Sequence, residues 1–163
     1  MKDNITLQKL DQQLKHFLSL FLIMIGIGIF TGLCYVYITT NIQREGIVER
    51  FNGSDPKNPQ KFEVEKPLEN MILTTHNHVL SFSMINLLIG MIFYFNSIIS
   101  GKLKLFLLLE PYYSTFLTFS SLWAMRYLND YFVLIVIISA ILMYICWYIM
   151  ILVSLYELLY KKT

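Results

Sequence analysis

The sequence has little of what a soluble domain or a disulfide-linked scaffold requires. Charged residues make up only 15% of its 163 positions, and there are 4 prolines and 2 cysteines. A soluble domain of this length needs a more polar surface, because a small body has much surface for its volume. Cys34 and Cys146 both fall inside apolar runs, which predicts buried thiols and not a disulfide or a metal pair. A formal net charge of +2 is too small to indicate a nucleic-acid partner.

In place of charge, the chain has four long apolar runs. Hydrophobic residues make up 56% of the sequence. The runs at residues 17–40, 71–100 and 131–156 hold no charge, and the run at residues 105–125 holds only Glu110. Crossing a hydrocarbon core of about 30 Å takes roughly 20 helical residues, and all four runs reach that length. The pattern predicts an all-α polytopic membrane protein, a single domain over residues 1–163 with four transmembrane helices in an antiparallel bundle. The predicted spans cover about residues 17–40, 71–100, 105–126 and 131–157.

A polar loop at about residues 41–70 joins the first two predicted spans. It contains FNGSDPKNPQKF, and this turn chemistry in a short segment predicts a flap over the end of the bundle. Pro67 and Glu69 favour a helix start there, and that helix is predicted to continue to Ser100. Basic residues beside the spans predict both termini in the cytoplasm and the loop outside a bacterial cytoplasmic membrane. They are Lys15, Lys102, Lys104, Lys161 and Lys162, opposed by Arg44 and Arg126.

Two histidines stand where this loop turns into the second span, in the stretch TTHNHVLSFS. On a regular helix His76 and His78 point roughly 200° apart, so a chelating pair would need an irregular turn there. His76 shares its face with the small residues Ser83 and Gly90, which allow close packing or a flat ligand. We therefore expect His76 to face the bundle and His78 to face the headgroups or the flap.

A b-type haem suits the residues around these histidines. One imidazole would ligate the iron, a second histidine or Met125 would stand opposite, and Arg126 would pair with a propionate. Four-helix bundles do build cofactor sites between facing helices. A copper ion on His76 and His78 is an alternative, since imidazole suits copper. A purely structural role, as polar anchors at the membrane interface, is the third alternative.

The third predicted span carries a polar stripe. Glu110 is followed by Ser114, Thr118 and Ser121 at spacings of 4, 4 and 3, which place all four on one helix face. Because unsatisfied polar groups in hydrocarbon cost several kcal/mol, we expect this face to point into the bundle. An intramembrane carboxylate is a functional hypothesis by default, here a proton-accepting or cation-binding group. The alternative is that the helix begins near Pro111 and Glu110 is a first-turn acid.

A pair of glycines marks the first predicted span. Gly28 and Gly32 lie four residues apart, a spacing that lets helices approach closely. It predicts packing inside the bundle or at a dimer seam.

The opening of the second span also carries a resemblance. Thr75, His76 and His78, in a chain with four spans, resemble small uncharacterised bacterial four-helix membrane proteins with a Thr-His-x-His motif at that place. More generally, the stretch is similar to membrane cytochromes, in which histidines near helix ends hold haem. The resemblance implies a four-helix membrane fold and a haem or metal site at the outer face.

These features favour a non-catalytic protein, because a nucleophile-base-acid set, a phosphate loop and a complete metal cage are all missing from the sequence. The expected function is an accessory or electron-transfer-associated subunit with a haem or metal site. The alternative is a transporter or channel component that uses Glu110 and the polar stripe. The expected partners are the lipid bilayer and other membrane subunits or a second copy of the chain.

Overall fold

The computed structural model describes residues 6–54 and 63–161, and every regular element in these ranges is helical, which confirms the all-α class. Short 3-10 turns at Leu7–Lys9 and Asp130–Phe132 precede the first and last long helices. Five α-helices follow one another along the chain. They are α1 (Gln12–Thr40), α2 (Arg44–Asn52), α3 (Leu68–Tyr94), α4 (Gly101–Tyr127) and α5 (Val133–Leu159).

Three stretches are long and apolar enough to cross a membrane: Gln12–Thr40, Leu68–Tyr94 and Asp130–Leu159. A helix of 27 residues, the length of α3, α4 and α5 alike, is about 40 Å long at 1.5 Å per residue. The tyrosines, hydroxyl groups and Glu110 of α4 make that helix less apolar than the other three. The part of the chain that the structure describes thus has three candidate spans, and the remaining predicted span, in α4, stays a prediction.

The helices pack around α5. α4 lies along α5, α3 packs across both, and α1 attaches mainly to α5. The buried core between them includes Trp147, Phe93 and Leu22. Gly28 and Gly32 are exposed, and a Cβ atom added at either would meet nothing within 4 Å. The prediction that they pack inside the bundle is wrong, and the dimer seam stays a prediction.

The turn between α3 and α4 corrects the predicted end of the second helix. The helix begins at Leu68, directly after Pro67 as predicted, but it stops at Tyr94 and does not reach Ser100. The side chain of Asn96 accepts hydrogen bonds from the backbone N–H groups of Ile98 and Ile99, at 2.8 and 2.7 Å. These bonds stabilise a turn in place of another helical turn.

Glu157 fixes this turn from α5. Its side chain is fully buried, and its two oxygens accept hydrogen bonds from the backbone N–H and the hydroxyl of Ser97, both at 2.7 Å. The ammonium of Lys161 donates to the same hydroxyl at 2.8 Å, and Lys104 donates to the Asn96 carbonyl at 2.6 Å. We call this end of the bundle, where α1 begins and α5 ends, the terminal end.

α2 lies across the opposite end, which we call the cap end. Ile47 of α2 is buried there, in a cluster with residues of the three following helices. The partners of Ile47 in this cluster are Met71, Phe119, Leu122, Met125, Val133 and Val136. Short α2 thus gains its stability from this apolar contact, since a nine-residue helix is marginal alone.

Candidate functional site

Glu110 lies inside α4. The helix runs without interruption from Gly101 to Tyr127 and contains Pro111, which is itself buried. Packing of α4 against α3 and α5 holds both halves of the helix in place, as neighbouring helices do around other membrane prolines. The alternative that Glu110 is a first-turn acid is therefore wrong, because two full turns of helix precede it.

The polar stripe of α4 faces the protein, as the spacing predicted. Only 6% of Glu110, 2% of Ser114, 9% of Thr118 and 6% of Ser121 is exposed. The Ser114 hydroxyl donates to Oε1 of Glu110, and the hydroxyls of Thr118 and Ser139 lie 2.7 Å apart in a hydrogen bond. The stripe is thus a line of buried groups that both donate and accept hydrogen bonds.

The second oxygen of the Glu110 carboxyl group is not satisfied. Oε2 is buried and has no hydrogen-bond partner within the residues that the structure describes. The Cys146 thiol of α5 adjoins this carboxyl group, but a thiol is a weak donor. A buried carboxylate that lacks a strong partner is costly, so Oε2 is the atom of this site at which a further partner would lower the free energy most.

An outward-facing groove runs between α4 and α5 beside Glu110. Its volume is about 580 Å³, and Glu110, Ser114 and Ser139 contribute its polar groups. Lys102 stands at the end of the groove nearest the terminal end. The remaining lining is apolar and includes Phe106, Leu109, Tyr113, Leu117, Ile138 and Leu142.

The cap end closes the other extremity of the stripe. Next to Ser121, the side chains of Leu122 and Met125 belong to the buried apolar cluster under α2. Glu110 and Ser114, at one end of the stripe, line the groove. Ser121, at the other end, is followed by the apolar cluster beneath Ile47. The stripe is therefore open to the groove at the Glu110 end and closed at the cap end.

Polar contacts hold the cap end together. Nδ2 of Asn52 donates to Oδ1 of Asp130 at 2.7 Å and to the Met125 carbonyl at 3.3 Å. Arg126 pairs with Glu65 at 3.0 Å, so its guanidinium is engaged by this carboxylate. These contacts join the segment around α2 to the region between α4 and α5.

Charges are crowded in the same segment. Burial, followed by the nearby Arg50 charge, lowers the pKa of Lys66, while Glu63 acts in the opposite direction. The ammonium of Lys66 lies 4.3 Å from the centre of the Phe51 ring. Arg50 donates to the Tyr35 hydroxyl at 3.1 Å, which ties α2 to α1.

Both histidines are exposed, so neither is enclosed by the bundle. The His78 ring lies 5.4 Å from Phe82 of its own helix and 5.6 Å from Phe119 of α4, so His78 borders the neighbouring helix. His76 shares its face with Leu80, which is exposed as well. The predicted inward orientation of His76 is wrong, because the buried face of α3 follows Met71, Asn86, Ile89 and Phe93, and His78 continues that face.

The residues predicted to surround a haem have other surroundings in the structure. His76 is exposed, Met125 is 1% exposed beneath α2, and Arg126 pairs with Glu65. Nδ1 of His78 lies 2.8 Å from the Thr74 carbonyl of its own helix. Across residues 6–54 and 63–161, no three or more His, Cys, Asp or Glu side chains are grouped so that they could hold a metal ion.

Two members of the site come from α5 and were not singled out from the sequence. Ser139 completes the hydroxyl line and Cys146 adjoins Glu110. They lie seven residues apart, on the buried face that also carries Met143 and Met150. That heptad spacing in an otherwise apolar helix was a usable signal, because a lone hydroxyl in hydrocarbon needs a partner.

Comparison with known proteins supplies one match. Residues 41–163 match the model of a protein family described as a transmembrane helical domain. This range is well over half of the chain and includes α2 to α5, and so every residue of the site around Glu110. Neither the curated proteins nor the solved structures gave a match. The Thr-His-x-His resemblance stays a prediction.

Proposed function

Because the chain belongs to the transmembrane helical domain family, it is a small integral membrane protein, and we propose that it acts as a transporter or channel component. In this proposal Glu110 binds and releases a proton or a small cation. The observation that supports it is the buried Oε2 of Glu110, which has no described hydrogen-bond partner although it lies among packed helices.

The physical argument starts from the cost of charge in a low-dielectric medium. An intramembrane carboxylate is rare, and it is tolerated where it pairs, faces a cavity or takes part in ion or proton transfer. Ser114 already occupies Oε1, so a proton or cation would bind at the other oxygen. The hydroxyls of Ser114, Thr118 and Ser139 then offer donors and acceptors toward the cap end.

The proposal includes an orientation of the protein in the membrane. α4 would be a span in addition to the three candidate spans. The basic residues at the terminal end, such as Lys102 and Lys104, would place that end in the cytoplasm. Glu110 would then be reached from the cytoplasmic half of the membrane. The apolar cluster under α2 would close the outer end of the path until the cap moves.

The test uses purified protein reconstituted in liposomes that contain a pH-sensitive dye. With an imposed membrane potential, the wild-type protein should carry protons, and Glu110→Gln should reduce the rate about tenfold or more because glutamine cannot ionise. Infrared difference spectra between high and low pH should lose the band of a protonated carboxyl group in the same variant.

Glu69→Gln is the matched control. Glu69 is an exposed acid in the first turn of α3, so its replacement should leave both the flux and the carboxyl band at the wild-type level. A Glu110→Gln protein with wild-type flux and an unchanged carboxyl band would contradict the proposed function.

A further inference from the structure

We propose that the groove between α4 and α5 binds an amphipathic organic cation, with its apolar body in the groove and its positive charge beside Glu110. This inference rests on the proposed function, since it needs Glu110 as an ionisable group. It adds the chemical class of a ligand, which is larger than a proton or a metal ion.

The size and lining of the groove fit an organic molecule. Small-molecule sites commonly have volumes of about 300–1,000 Å³ and are mostly apolar with a few polar groups, and this groove has about 580 Å³. Phe106 and Leu109 of α4 and Leu142 of α5 are among the apolar side chains that line it. Because these side chains are on the outside of the bundle, an amphipathic molecule would reach the groove from within the bilayer.

The polar groups of the groove select for positive charge. Glu110 is the acid among the lining residues, and its Oε2 has no hydrogen-bond partner among the residues that the structure describes. The terminal torsion of a glutamate side chain is soft, so the carboxylate can turn an oxygen toward a ligand at small cost. Ser139 already donates to the carbonyl of Ile135 at 2.6 Å and therefore offers a ligand an acceptor.

Lys102 does not cancel this selection. It is exposed and precedes Glu110 by eight residues, or about 12 Å along the helix. At the end of the groove its ammonium would lie among headgroups and water, where a charge interaction over that distance is largely screened. A phospholipid chain would fill the apolar part alone and would leave Oε2 of Glu110 without a strong partner.

The test measures binding to protein in lipid nanodiscs by equilibrium dialysis, with empty nanodiscs subtracted. The probe is tetraphenylphosphonium, and tetraphenylborate is the control of the same shape and opposite charge. Wild-type protein should bind the cation saturably, one per chain. Glu110→Gln should weaken that binding about tenfold or more, because the Coulomb attraction is lost, while Glu69→Gln should have no effect.

Two further variants test the position of the site. Leu142→Trp and Ile138→Trp each place a large side chain in the groove, one on the wall and one on the exposed rim, and each should weaken cation binding. Circular dichroism and gel filtration identify a variant that fails to fold. If one of the two variants does not fold, the other still tests the position of the site.

Three results would overturn the inference: saturable binding of tetraphenylborate, undiminished cation binding by Glu110→Gln, or no saturable cation binding by the wild type. The last result, with a Glu110-dependent carboxyl band still present, would favour a lipid in the groove and leave the proposed function standing. Loss of the proposed function itself is recognised separately, by unchanged infrared spectra and flux in Glu110→Gln.

Discussion

Replacing Gly46 with alanine should lift α2 off the cap end of the bundle. A Cβ atom at Gly46 would lie 2.1 Å from the carbonyl oxygen of Thr40 and 2.8 Å from its carbonyl carbon. Both are backbone atoms, so no side-chain rotation relieves the overlap. The short connection between α1 and α2 cannot easily adjust its backbone either, because Asn41 and Ile42 already adopt positive φ angles of 52° and 54°.

The displacement would expose the apolar cluster beneath α2. Ile47, one residue after Gly46, is 8% exposed and packs there. Losing most of this burial together with the strain should lower the free energy of unfolding by about 2–4 kcal/mol. The hydrogen bond from Asn52 to Asp130 should be lost as well. Denaturant titration in mixed micelles measures the stability, and limited proteolysis of residues 41–67 reports the position of α2.

Gly28→Ala is the matched control for this variant. A Cβ atom at Gly28 would meet nothing within 4 Å, so alanine there should leave α2 protected from protease. Alanine also favours helix over glycine by up to about 1 kcal/mol, so stability should be equal or slightly higher. If Gly46→Ala showed wild-type protection and stability, α2 would not be seated against Thr40 as described.

Glu157→Ala should produce the largest loss of stability among the acidic positions. The carboxylate is fully buried and accepts two hydrogen bonds from Ser97, at 2.7 Å each. Its removal would leave the Ser97 backbone N–H without its acceptor. It would also weaken the hydrogen bond that the Lys161 ammonium donates to the Ser97 hydroxyl. A hydrogen bond to a charged group typically contributes about 1.5–3 kcal/mol, so we expect a loss of at least that order.

The same titration in mixed micelles measures this loss. Glu157→Gln keeps one acceptor oxygen and the side-chain volume, so it should cost about half as much as Glu157→Ala. Glu45→Ala, at an exposed acid of α2, should change stability by less than about 0.5 kcal/mol. Equal stabilities of Glu157→Ala and Glu45→Ala would contradict a stabilising role for the hydrogen bonds between Glu157 and Ser97.

Patterns within one helix were predictable from the sequence. The stripe from Glu110 to Ser121 was assigned correctly, because four polar residues at helical spacing can avoid lipid only by facing protein. The start of α3 after Pro67 followed from proline chemistry.

Features that depend on neighbouring helices were not predictable. The faces of His76 and His78 carry Leu80 and Phe82 respectively, and lipid is as apolar as a protein core, so hydrophobicity did not identify the buried face. The end of α3 depends on Glu157, 60 residues away from Ser97 in the chain. Likewise, the spacing of Ser139 indicates that its hydroxyl needs a partner, but the identity of that partner, Thr118, depends on the packing of α5 against α4.

The distance along the chain between Ser97 and Glu157 also bears on how the protein is made. Chains are synthesised from the N-terminus, and earlier segments begin to fold first. The turn after α3 therefore leaves the ribosome well before the acceptor that completes it, which arrives with the last turns of α5. Until then, the Ser97 N–H lacks its final partner. The hydrogen bonding of the turn between α3 and α4 is therefore completed only after the last turns of α5 have been made.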